Sequence, residues 1–185
     1  MARVRRKESL PARWWSKGRG LPTATYQSWL DSLQGHPGRE ARILAWARTS
    51  SGVCVGSPSM LSYGSESAWR HVGWHQIEHG DWNSETHKLS WSTYEGRREF
   101  LELAEPGRMP ELFRERVSAS IVAERFVPIA GERGVTVSGR RDLAETSSAI
   151  TWHQTLGRGL SWNSDDVRTA ADVALAELQA EYGLL

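Results

Sequence analysis

Apolar and polar residues alternate most strictly between residues 69 and 122, and the rest of the chain reads as additions to that stretch. His87, Leu89, Trp91 and Thr93 alternate with Lys88, Ser90 and Ser92, the period of two that sends neighbouring side chains to opposite faces of a half-buried strand. Residues 69–72 predict a strand before it, and 74–78 a tight turn or another strand piece. Glu95-Gly96 turns the chain, Phe100, Leu101 and Leu103 return it, and Pro106-Gly107 ends the sheet. The period then lengthens to that of a helix. Leu112, Phe113, Val117 and Ile121 or Val122 fall on one face, with Glu111, Arg114, Glu115 and Arg116 on the other.

Upstream, Tyr26, Trp29, Leu30 and Leu33 predict a short helix that Thr25 would cap and Gly35 with Pro37 would stop. The runs ILAWA and VCV flank Thr49-Ser50-Ser51-Gly52, a turn cluster, and so predict a hairpin. Pro58 limits its second strand or sends it to a bulge, and MLSY continues the meander. Downstream, FVPIAGERGVTVSGRRD holds two strand-like pieces around residues 131–134, and AITWHQT holds another. The last element is a helix capped by Ser164, with Asp165 and Asp166 at the positive end of its dipole. Val167, Ala170, Ala171, Ala174, Leu175, Leu178 and Tyr182 make its apolar face, and Gly183 ends it.

This order of elements predicts an α+β protein whose antiparallel sheet is closed by one amphipathic helix. The pieces ILAWARTSSGVCVG, SAWRHVGWHQIEHGDWNSETHKLSW and PGRMPELFRERVSASIV together resemble the bacterial pleckstrin-homology-like layout. The whole chain also looks like a group of uncharacterised actinobacterial proteins. The resemblance implies one strongly bent sheet with a helix plugging its end, and a binding scaffold rather than an activity. Three regions follow: a basic flexible arm over 1–20, the sheet domain with its leading helix over 21–122, and an appended strand-and-helix extension over 123–185.

Charge sharpens the division. The net charge is only +1. Residues 1–20, however, carry Arg3, Arg5, Arg6, Lys7, Arg13, Lys17 and Arg19 against Glu8 alone, a net +6 that leaves −5 on the remainder. Trp14 and Trp15 interrupt the basic run. Cations beside aromatics suit phosphates and unpaired bases, or an anionic membrane interface. Docking of the two indoles back onto the domain is the structural alternative. Of the ten tryptophans, the other eight fall in segments read as structured, where large aromatics serve chiefly as packing.

Little in the chain carries chemistry. His75-Gln76-Ile77-Glu78-His79 matches H-x-x-E-H, which grips zinc only when a helix puts both histidines on one face. Gly73 and Gly80 bracket the run and Trp74 and Trp82 favour strand. On a strand, the two histidines stand about 13 Å apart, too far for one zinc ion. His71 extends the spacing to a row of three, which on strands is a surface feature. No G-x-S-x-G occurs, and Cys54 sits in an apolar V-C-V run typical of an inert buried thiol. With one cysteine and no C-x-x-C, neither an internal disulfide nor a cysteine zinc site is expected. Gly157-Arg158-Gly159 and the 131–134 segment lack the spacing of a phosphate loop and read as hairpin turns. Trp74-His75-Gln76 is echoed by Trp152-His153-Gln154 without matching surroundings.

The expectation is a cytoplasmic, non-enzymatic module with neither cofactor nor metal and no integral membrane contact. A protein is its expected partner, received at a sheet edge or groove beside the closing helix. The alternatives are a nucleic-acid or ribonucleoprotein binder acting through Arg3, Arg5, Arg6, Lys7, Arg13, Trp14, Trp15, Lys17 and Arg19, and a zinc-dependent hydrolase using the His75–His79 run.

Overall fold

A computed structural model describes residues 20–36, 41–144 and 149–182. The arm residues Arg3, Arg5, Arg6, Lys7, Arg13, Trp14, Trp15, Lys17 and Arg19 lie outside the described residues. The fold is α+β, with ten strands, all paired antiparallel, and three α-helices among the described residues.

Strands β1 (Ala45–Thr49), β2 (Gly52–Gly56), β3 (Met60–Ser65) and β4 (Ala68–Gly73) form one meander. After a single 3-10 turn at Trp74–Gln76, β5 (Ile77–Asn83), β6 (Lys88–Thr93) and β7 (Arg98–Glu102) form a second. These are separate sheets, and neither they nor the third is strongly curled, where one strongly bent sheet was expected. The change of direction falls in the turn: the Gln76 side-chain oxygen accepts the Gly73 N–H at 2.8 Å and ends β4 there. A lone bridge from Thr49 to Leu103 links the two sheets at one margin.

The first sheet is buried on both faces, so residues 54–62 are buried almost without alternation. Ala47, Cys54, Leu61 and Val72 face a core shared with Trp74, Ile77, Leu89, Trp91, Leu101, Met109 and Phe113. Val55 and Met60 point the other way, onto Trp29 and Leu33 of the leading segment. That segment forms α1 (Thr23–Ser32), with Pro22 at its N-cap and no side-chain cap. Thr25 therefore does not cap the helix. Its hydroxyl donates instead to Glu66, at 2.8 Å, at the β3–β4 turn.

Helix α2 (Met109–Ala119) carries Pro110 in its first turn, where a missing N–H breaks no helical bond. It closes the first core through Met109, Leu112 and Phe113. Gly56 lets it come close, because a Cβ there would lie 2.5 Å from a Leu112 methyl. The helix does not continue to Ile121 or Val122. The Ser120 hydroxyl donates to the Val117 carbonyl at 2.7 Å, and the Ser120 carbonyl accepts the Arg141 N–H at 2.8 Å. The β-branched pair then enters β8 (Ile121–Ala130), so the expected boundary at 122/123 falls inside a strand.

Strands β8, β9 (Arg133–Arg141) and β10 (Ile150–Leu156) form the third sheet, backed by α3 (Asp165–Tyr182). Val135, Val137, Val167, Ala171, Ala174 and Leu178 are its core. Residues 157–159 lead from β10 towards α3 rather than joining two strands. No helix among the described residues is long and apolar enough to cross a membrane.

Candidate functional site

The H-x-x-E-H run is split between two kinds of backbone, so its histidines part. His75 lies on the 3-10 turn and sits 3.5 Å from the Asp142 carboxylate beyond β9. His79 lies on β5 with its side chain largely in solvent. Among the described residues no group of three or more His, Cys, Asp or Glu side chains is placed to hold a metal ion. His71, the third member of the row, turns towards α1 and contacts His36.

The other end of the β5 segment meets the extension. Arg140 of β9 is 2% exposed, and no carboxylate among the described residues pairs with it. Its guanidinium donates to the carbonyls of Ile77 and Val117 and lies over the Tyr94 ring, 5.6 Å from the centroid. Backbone dipoles and a π face thus stand in for water around the charge. Tyr94 also stacks on His153 and bonds the Ser138 hydroxyl at 3.0 Å. Thr155 donates to Glu78 at 2.8 Å. Burial lowers the pKa of His153, the Arg140 and His75 charges lower it further, and Glu78 opposes them. The two W-H-Q copies therefore meet at this seam, although one is a 3-10 turn and the other a strand. They share residues and not a structure.

A groove opens where β5 runs beside α2. Among the described residues β5 is the terminal strand of its sheet, pairing with β6. Gly80, Asp81 and Trp82 form one wall, and Phe113, Arg114 and Val117 of α2 contribute to the other, around a space of about 400 Å³. Gly80 is what keeps β5 close to the helix, since a Cβ would lie 2.2 Å from the Phe113 ring. Phe113 itself is held by edge contact with Trp74, 5.8 Å between centroids. The groove thus has a fixed aromatic floor, a strand edge on one side and mixed charge at its mouth.

Sequence patterning assigns Phe113 and Val117 to the buried face, as the structure does, and takes Gly80 only as the end of a motif. The available signal was Gly80 itself, a glycine in the middle of a strand, which often marks close approach by another group. Arg140 gave no such signal, because an arginine late in a strand is ordinarily solvated. Set against protein-family models, curated proteins and solved structures, the chain matches none.

Proposed function

We propose that this chain is a cytoplasmic, non-enzymatic protein-interaction module of pleckstrin-homology-like layout, which receives an extended peptide along β5 against α2. The supporting order is a four-strand meander, a three-strand meander and a closing helix. The observation that carries the binding mode is the juxtaposition of the terminal strand β5 with the α2 groove. An incoming strand gains affinity from main-chain hydrogen bonds to β5 and specificity from side chains in the groove. Phe113, Val117 and Trp82 suit an apolar anchor, while Asp81, Glu111 and Arg114 favour a peptide carrying both charges beside it.

Panning a displayed random-peptide library on the full chain tests this. The expected result is enrichment of sequences with one apolar anchor, whose binding is lost in Val117→Arg. Absence of enrichment, or enriched peptides that bind Val117→Arg as well as the parent, overturns the groove.

The second reading places nucleic-acid binding in residues 1–20 and is favoured by their net +6 charge. It requires affinity for a single-stranded oligonucleotide that falls steeply with salt and disappears when residues 1–19 are deleted.

A further inference from the structure

We propose that His36 and His71 form a two-imidazole chelate for a borderline divalent transition ion, with Zn²⁺ as its simplest probe, fastening the end of α1 to β4. The site goes beyond the peptide groove and shares no residue with it.

The two ring centroids are 4.8 Å apart, with planes inclined at 60°. A metal–nitrogen bond of about 2.0–2.1 Å puts each imidazole centroid about 3.2 Å from the ion. A ligand–metal–ligand angle between about 90° and 110° then separates the centroids by about 4.5–5.2 Å. The observed spacing lies within that interval.

The surroundings arrange the rings as ligands. The Ser62 hydroxyl, fully buried, bonds His71 Nδ1 at 2.9 Å. In the tautomer whose Nδ1–H donates to Ser62, Nε2 carries the lone pair, in the manner of outer hydrogen bonds that orient metal-bound histidines. His36 Nδ1 is buried without a hydrogen-bond partner among the described residues. A buried nitrogen of this kind costs free energy unless something is bound to it.

Asp31, Glu66 and Ser32 line the same open cavity of about 570 Å³, which has room for the water needed to complete a shell. With only two protein nitrogens, such a site differs from a closed structural zinc site, which has four protein ligands. Binding would tie the segment after α1 to the outer face of the first sheet, across the core built on Trp29 and Met60.

The test is titration of the full chain with Zn²⁺ after removal of metal by a chelator, read by calorimetry and by Tm. Expected are one ion per chain, a rise in Tm, and at least a tenfold loss of affinity in both His36→Gln and His71→Gln. His79→Gln, altering an exposed histidine, should bind as the parent does. Circular dichroism in chelator separates loss of a ligand from loss of fold, and if His71→Gln does not fold, His36→Gln alone decides. No binding tighter than about 100 µM, or binding that survives His36→Gln, overturns the site and leaves the two rings as an edge-to-face packing pair. Binding lost in His79→Gln overturns it equally.

Discussion

Tyr94 and His153 stack almost parallel, 5° between planes and 3.6 Å between centroids, and so join the β6–β7 turn to β10 across the seam. Arg140 lies beneath the same tyrosine and donates to the carbonyls of Ile77 and Val117. Arg140→Met would remove the donor to the buried Ile77 carbonyl, while the Val117 carbonyl would keep the Ser120 hydroxyl. The expected cost is about 1–3 kcal/mol in a denaturant melt. An unchanged midpoint would show that relief from burying the charge offsets the lost bonds.

The tryptophans should divide by burial rather than by neighbourhood. Trp74 is fully buried and its indole N–H donates to the Ser57 carbonyl at 3.0 Å. Trp74→Ala is expected to cost about 3–5 kcal/mol. Trp162, 37% exposed, should tolerate alanine within about 0.5 kcal/mol. Denaturation midpoints of the two variants check both.

Acid should destabilise the fold through its depressed histidines. The folded pKa of His71 is about 4 against an ordinary 6.5, and that of His153 is shifted in the same direction. Between those values the unfolded chain binds the proton first, so lowering the pH favours unfolding. The contribution is whole above about pH 6.5 and drains away as the pH falls towards about 4. Urea melts in chelator should show a midpoint that falls over that window, with a shallower slope in His71→Gln.

Gly80→Val should close the groove at some cost to the core beneath it. Its side chain would press on the Phe113 ring, whose nearest atom is 2.2 Å from the position of a Cβ. Overpacking of this kind costs about 1–3 kcal/mol. The variant is expected to fold with a lowered Tm and to lose the peptides selected by the parent. Retained peptide binding would place them elsewhere.

Cys54 has no exposure, and burial pushes its thiol pKa up to about 12. With almost no thiolate and no access, it should ignore a disulfide reagent in the native state and react fully in denaturant. Absorbance of the released thiol measures both.

What the sequence made legible follows its periodicities. The two-residue alternation around Leu89 and Trp91 located β6, whose residues at those positions are buried and whose serines between are half-buried. Asp165, Asp166 and the alanine-rich face located α3. Legibility failed where a tertiary contact outweighed local preference. Thr25 left the capping role for Glu66, and Ile121 left the helix for a ladder with β9. The His36–His71 contact and the seam around Arg140 join residues 23 or more positions apart, beyond the reach of any local pattern.

Apart from the bridge between Thr49 and Leu103, every strand lies beside its neighbour in sequence. Each meander then forms by closing short loops, for which the entropy lost is small. A β-rich chain usually folds slowly because its partners are distant along the chain, and that obstacle is largely absent here. Refolding is therefore expected to begin with three independently zippering meanders, and the slower event to be the burial of Arg140 as the last sheet docks.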